Sequence, residues 1–171
     1  QAVLYFPGER PFDLDYPDGK RGVRLFQRRV LIQEASDQFL PRYLRFVKGV
    51  IDAPEVSLNV SREILQNTPV LRSIRNQVVK RVLRRLRELG REDVAGYTKL
   101  WENFGTSIKE GVAEDKDNVE AITPLLRFRT TAGAAWRDLA ALKAEMVFHV
   151  ACRGRLQVED EDSGDMTGNG Q

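Results

Sequence analysis

Apolar residues along this chain recur first at a spacing of two and then at three to four. Ala2 to Phe6 is a brief run of strand formers closed by Pro7-Gly8. Pro11-Phe12-Asp13-Leu14-Asp15-Tyr16 alternates apolar and acidic residues, as a half-buried edge segment does. After a turn at Asp18-Gly19-Lys20-Arg21-Gly22, Val23 to Ile32 reads as one longer strand, with Val23 and Leu25, then Val30 and Ile32, two apart. Arg28 and Arg29 fall in its middle, so at least one should face solvent or a ligand. Ser36-Asp37 can cap a helix whose stripe is Phe39, Leu40, Tyr43, Leu44, Phe46 and Val47, with Pro41 tolerated in the first turn. Val50-Ile51 and Val56 to Val60 return to extended structure. Strand, helix and strand in this order predict an α/β layer, a helix packed on a mixed sheet.

From Pro69 the period becomes helical. Val70, Ile74, Val78, Val82 and Leu86 lie four apart, Leu71, Val79, Leu83 and Leu89 widen the stripe, and Gly90 is the expected end. A second helix uses Val94, Tyr97, Trp101, Phe104 and Ile108 and should stop near Gly111. A third should run from Asn118 through Ile122, Leu125, Leu126 and Phe128, kinked or delayed by Pro124. Three such stripes are expected to pack as a small helical subdomain. Ala134 to Met146 suits a helix, and Val147 to Cys152 a strand. The expected divisions are 1–67, 68–130, 131–158 and an acidic, disordered tail at 159–171.

Between the two regimes stands Leu58-Asn59-Val60-Ser61-Arg62-Glu63-Ile64-Leu65-Gln66-Asn67. Ser61 can cap one helical turn, Arg62 leaves the chain at its N-terminus, and Gln66 projects from the same face four residues on. Free N–H groups, a cation and an amide together suit an anion such as a phosphate. On spacing alone a capped turn with a surface arginine is the commoner arrangement.

Composition narrows the rest. The chain has 171 residues, 42% hydrophobic and 30% charged, with a net charge of +2. That describes a globular protein with room for one full domain and implies no partner by itself. Cys152 is the one cysteine, which excludes an internal disulfide framework and fits a reducing cytosol. No apolar run reaches the length of a membrane span, and the N-terminus lacks a signal-peptide layout. Gln1 is not a natural initiator, so a fragment is expected. His149, the single histidine, has no metal-ligand pattern around it, and no nucleophile motif or Gly-rich phosphate loop is present.

Several ordered motifs then carry a resemblance. Phe26 to Ile32, Phe39 to Asp52, Leu58 to Gln66, Gly111 to Asn118 and Leu125 to Phe128 together resemble the middle domain of the heat-shock protein 90 chaperones, most of all the bacterial HtpG-type members. The likeness covers about residues 4–130 and fades after Thr131. It implies a helix-on-mixed-sheet layer of the ribosomal protein S5 domain 2-like kind, followed by a three-helix subdomain. It also implies a cytoplasmic, ATP-dependent chaperone whose nucleotide and Mg2+ sit in a separate N-terminal domain. In such proteins the middle domain lends an arginine to the ATP γ-phosphate. Arg62 matches that arginine, Gln66 and Asn59 match other polar residues of the same loop, and Arg28 matches a strand arginine near the same surface. Expected partners are unfolded clients, the N-terminal ATPase domain, and a second copy through a C-terminal domain. Phe12, Leu14 and Leu31 are the candidates for a client surface, although strand core is the plainer role for each.

The rival reading is a nucleic-acid-binding module using the helix between Arg72 and Arg91, which carries a basic face. No aromatic interleaves those arginines, and stacking on bases would call for some. The chain alone is expected to be inactive as an ATPase.

Overall fold

Residues 1–16, 22–36, 38–54, 69–130 and 133–143 are described in the computed structural model. Strands β1 (Ala2–Tyr5), β2 (Val23–Gln27), β3 (Val30–Ser36) and β4 (Lys48–Asp52) form one sheet in the spatial order β1-β4-β2-β3. β1 runs antiparallel to β4, with Ala2 opposite Ile51 and Tyr5 opposite Lys48. β2 runs parallel to β4, with Arg24 opposite Val50, so the sheet is mixed. Period two decides its inner face: Val23, Leu25 and Gln27 are buried while Arg24 is exposed.

The segment from Val23 to Ile32 is not one strand. Gln27 pairs with Val30, and Arg28 and Arg29 form a two-residue hairpin turn with φ of 47° and 69°. Positive φ at both central positions is the requirement of a type I′ turn, the form whose twist matches paired strands. The expected edge segment at 11–16 is also different. Its backbone closes locally, Leu14 N donating to Pro11 O and Tyr16 N to Asp13 O, so it is a run of turns.

The helix expected after Ser36 shrinks to a single 3-10 turn, Arg42–Leu44, which Pro41 precedes. Proline disfavours the α conformation in the residue before it and offers no N–H, so the helix cannot grow back through Leu40. The burial predicted for that stripe holds all the same. Phe39, Leu40, Tyr43, Leu44, Phe46 and Val47 are all buried.

Helix α1 (Pro69–Glu92) buries Leu71, Val78, Val79, Val82, Leu83 and Leu86. Gly90 does not end it; the helix runs on to Glu92, and Asp93 then caps α2 (Val94–Glu114) by accepting from Gly96 N at 2.8 Å. Gly111 likewise lies inside α2. A short α3 (Val119–Ile122) passes into a 3-10 turn, Thr123–Leu125, containing Pro124. The third helix therefore stops short of Phe128, and Arg127–Thr130 is instead β5, whose residues alternate arginine with Phe128 and Thr130. It pairs with β6 (Gly133–Asp138) where a helix was expected from Ala134; helical backbone begins only at residues 139–143, with Asp138 Oδ1 accepting from Ala141 N at 2.8 Å. The strand expected at 147–152 and the acidic tail lie outside the described residues.

Gln1–Arg127 and the residues from Phe128 onward are two compact units. In the second, the Arg129 guanidinium lies over the Trp136 ring at 4.4 Å, a cation–π contact across β5 and β6. In the first, the sheet layer and the helices share a core. The Phe46 ring stacks on Phe104 with centroids 4.6 Å apart, and Phe6 approaches Phe46 at 6.2 Å. Trp101 is buried, as its helical spacing implied. Tyr97 donates its hydroxyl to Leu125 O at 2.6 Å, which ties α2 to the turn after α3; burial pushes its pKa up to about 12. Each such aromatic contributes about 1.5–3 kcal/mol through burial alone.

Gly111 sits where the ring of Tyr43 lies against α2. A Cβ there would stand 2.7 Å from Tyr43 Cδ2 and 2.8 Å from its Cγ. Alanine normally stabilises a helix over glycine by about 1 kcal/mol. Here the sign should reverse: Gly111→Ala is expected to cost about 1–3 kcal/mol in urea unfolding, because the ring edge nearest the backbone cannot swing away. An unchanged or higher unfolding midpoint would show that the 3-10 turn gives way freely.

Candidate functional site

Asn59, Arg62 and Gln66 lie outside the described residues. Arg28 lies within them, at the tip of the β2–β3 hairpin, and its side chain and that of Arg29 are exposed. The turn, not a strand face, therefore presents the two guanidinium groups. The three residues considered for a client surface separate. Phe12 is 91% exposed and Leu31 45%, whereas Leu14 is 4% exposed and belongs to the core. Leu14 is turned inward because the local turns of 11–16 place it under the segment, so no surface can include it. His149 and Cys152 lie outside the described residues. Among the described residues no group of three His, Cys, Asp or Glu side chains could hold a metal ion. No helix among them is long and apolar enough to cross a membrane.

One cluster escaped the sequence reading. Arg45, between Leu44 and Phe46 in an apolar run, is drawn inside and left 6% exposed. Its guanidinium holds Glu110 of α2 in a two-pronged contact, Nη1 to Oε2 at 2.6 Å and Nη2 to Oε1 at 3.0 Å. Nη2 also donates to Asp15 Oδ1 at 2.9 Å. Asp15 takes a further ion pair from Arg10, and Arg10 Nη1 donates to Asn103 O at 3.3 Å. The cluster thus straps the turns at 10–16 onto α2. The Arg45 hydrogen bond, with help from Arg10, holds the Asp15 carboxyl below its ordinary 3.8 against the opposing pull of burial. The signal was a charged residue inside an otherwise apolar stretch, which demands buried partners of opposite sign.

A few residues away Tyr43 donates its hydroxyl to Asp115 Oδ2 at 2.8 Å, and Asn118 Nδ2 reaches both Asp115 oxygens at 3.0 and 2.9 Å. Burial first, then the Asp115 bond, raise the Tyr43 pKa, so the hydroxyl stays a donor.

The polar side of α1 is exposed along its length, but part of its charge is spent internally. Arg84 pairs with Glu88 at 3.7 Å, and Arg85 with Glu88 at 3.4 Å and Glu92 at 3.0 Å. Such exposed pairs add little stability, yet they neutralise part of the basic face. This weakens the case for a nucleic-acid surface.

The family model described as Hsp90 protein matches residues 1–146. The chain is 51% identical over 130 residues to the chaperone protein HtpG of Alcanivorax borkumensis and 48% identical to that of Escherichia coli K12; each alignment covers 76% of this chain and 21% of the relative. The chain therefore spans about a fifth of the length of the curated relatives it matches. Among solved structures, the middle domain of a Plasmodium falciparum heat shock protein superposes with a TM-score of 0.67 at 30% identity, over 82% of this chain and 54% of that one.

The geometry of Arg45 sets its energetic weight. Removing one partner of a fully buried pair costs about 3–5 kcal/mol, and the partial exposure of Glu110 and Asp15 lowers this to about 2 kcal/mol for Arg45→Met. Arg45→Lys should recover less than half, since a point charge cannot span both carboxylates. Because the Asp15 pKa is depressed in the folded state, its contribution is complete well above pH 3.8 and is lost as pH falls through and below that value. Melting temperature against pH should therefore fall less steeply on the acid side in Asp15→Asn; parallel curves would remove Asp15 from the acid response.

Nucleic-acid binding should be weak and should fade with rising salt, as counterion release requires. Sub-micromolar affinity for RNA or DNA at physiological salt would overturn that view of α1.

Proposed function

The chain belongs to the Hsp90 protein family, and from that premise we propose that it serves as a middle-domain segment which completes ATP hydrolysis in an HtpG-type chaperone. Arg62 carries the chemistry in this reading. The phosphates of ATP, with Mg2+, are held in a separate N-terminal domain, and docking of that domain brings the Arg62 guanidinium to the γ-phosphate. A planar cation there stabilises the charge that develops on the transferring group. Gln66 and Asn59 supply neutral contacts from the same loop, and Arg28 a second cation from the hairpin tip. Phe12 and Leu31 are the exposed apolar side chains left for clients. The parent works in the cytoplasm as a homodimer joined through a C-terminal domain.

The observation that carries the reading is the family match across residues 1–146, which includes the whole Leu58–Asn67 stretch. The likeness to a solved middle domain supports the same assignment. The exposed position of Arg28 on a two-residue turn is compatible with reaching a partner domain.

The test is kinetic. A charge-assisted bond to phosphate contributes roughly 1.5–3 kcal/mol, and a factor of ten in rate corresponds to about 1.4 kcal/mol. Arg62→Ala in the full-length parent is therefore expected to lower ATP turnover at least about tenfold while ATP affinity and melting temperature hold. Arg62→Lys should rescue poorly and Gln66→Ala should be milder. The 171-residue chain alone should show no turnover. Parental ATPase in Arg62→Ala, with the protein folded, would remove Arg62 from the catalytic role.

A further inference from the structure

A second basic feature is built from residues other than the Arg62 stretch and is independent of the reading above. Between the Arg42–Leu44 turn, α1 and the C-terminal end of α2 is a cleft of about 600 Å³, a size usual for small-molecule sites. Arg72, Arg75 and Lys80 line one wall, and Arg42 is contributed by the facing turn. The α1 cations fall at i, i+3 and i+8, which is one face of the helix and a span of about 12 Å. Among the described residues none of these four side chains has an ion-pair or hydrogen-bond partner, whereas Arg84 and Arg85 further along α1 find Glu88 and Glu92.

Three carboxylates share the cleft: Glu114, Asp115 and Asp117. Asp115 is already committed to the Tyr43 hydroxyl and the Asn118 amide. Four cations thus face three carboxylates, one of them held by neutral donors, which leaves the cleft open with a small net positive charge. Cations on two walls and along about 12 Å of helix suit an elongated anion better than a compact one. No aromatic side chain is among the described residues that line it, so a base would find nothing to stack on.

We propose that this cleft binds a short chain of linked phosphates, whether free or as the phosphoryl chain of a nucleotide, read by Arg42, Arg72, Arg75 and Lys80. The test is calorimetric titration of the chain with inorganic tripolyphosphate, orthophosphate and ATP. Tripolyphosphate is expected to bind one to one, at least about tenfold more tightly than orthophosphate, which can touch only part of the row. ATP is expected to bind no more tightly than tripolyphosphate; a tenfold preference for ATP would mean that a nucleoside is read and would overturn the assignment.

Arg75→Gln with Lys80→Gln should weaken tripolyphosphate at least about tenfold at unchanged circular dichroism. Arg84→Gln with Arg87→Gln, which removes equal charge from outside the cleft, should change it less than about twofold. Glu114→Gln should tighten binding severalfold, because it removes a competing negative charge from the cleft. Arg62→Ala should leave it unchanged. Absence of binding, equal losses in both double variants, no gain in Glu114→Gln, or loss in Arg62→Ala would each sink the proposal.

Discussion

The ring of Phe46 stacked on that of Phe104, with Tyr43 laid against Gly111, joins the sheet layer to the helices, and much else is a consequence of that seam. Tyr43 in the 3-10 turn and Phe46 just after it can reach α2 only if the backbone comes close, and a glycine at 111 permits the approach. Close approach in turn draws Arg45 between Leu44 and Phe46 out of water. A buried guanidinium must then be met by carboxylates from both sides, and Glu110 from α2 and Asp15 from the preceding turns meet it. The polar hub is therefore a product of apolar packing, and it returns the favour by fixing a segment that has no secondary structure of its own.

What could be read in the chain beforehand follows the range of the forces involved. Most of the stripe of α1 and the burial of Trp101 and Phe104 were legible because helix periodicity is a local property that tertiary contacts merely use, whereas Val70, at the start of α1, is 43% exposed. The hairpin at Arg28-Arg29 was misread as strand interior, although its trace was present. Leu25 and Val30 are five apart, an odd step that breaks period two and so requires either a bulge or a turn. Asn-Gly would have announced the turn; two arginines did not. At Pro41 the apolar pattern spoke for a helix and the proline spoke against it, and the proline prevailed. At Gly90 and Gly111 the balance is reversed: both helices run a few residues past the glycine, with Tyr97 near Gly90 and Tyr43 against Gly111.

The sites divide along the same line. Arg62, Gln66 and Asn59 are assigned through resemblance alone, because an arginine beside a serine has no distinctive local sequence pattern. The partners of Arg45 and the members of the cleft around Arg75 share no joint sequence signature, since they come from residues 10–16, 42–45, 72–80 and 110–118 and meet only once the chain is folded. An isolated charge in an apolar run is the one clue that points to such a hub in advance, and it names the position without naming its partners.

The left-handed turn at Arg28 and Arg29 has a bearing on how this protein could be improved or spoiled. Each arginine sits in a conformation that costs an ordinary L-residue about 1–2 kcal/mol and costs glycine almost nothing. Selection for heat resistance in a library would therefore drift toward Asn-Gly at these two positions. It would gain a tighter hairpin and discard both exposed cations at its tip, so a thermostable descendant of this chain is the one in which that corner should be trusted least as a guide to chemistry.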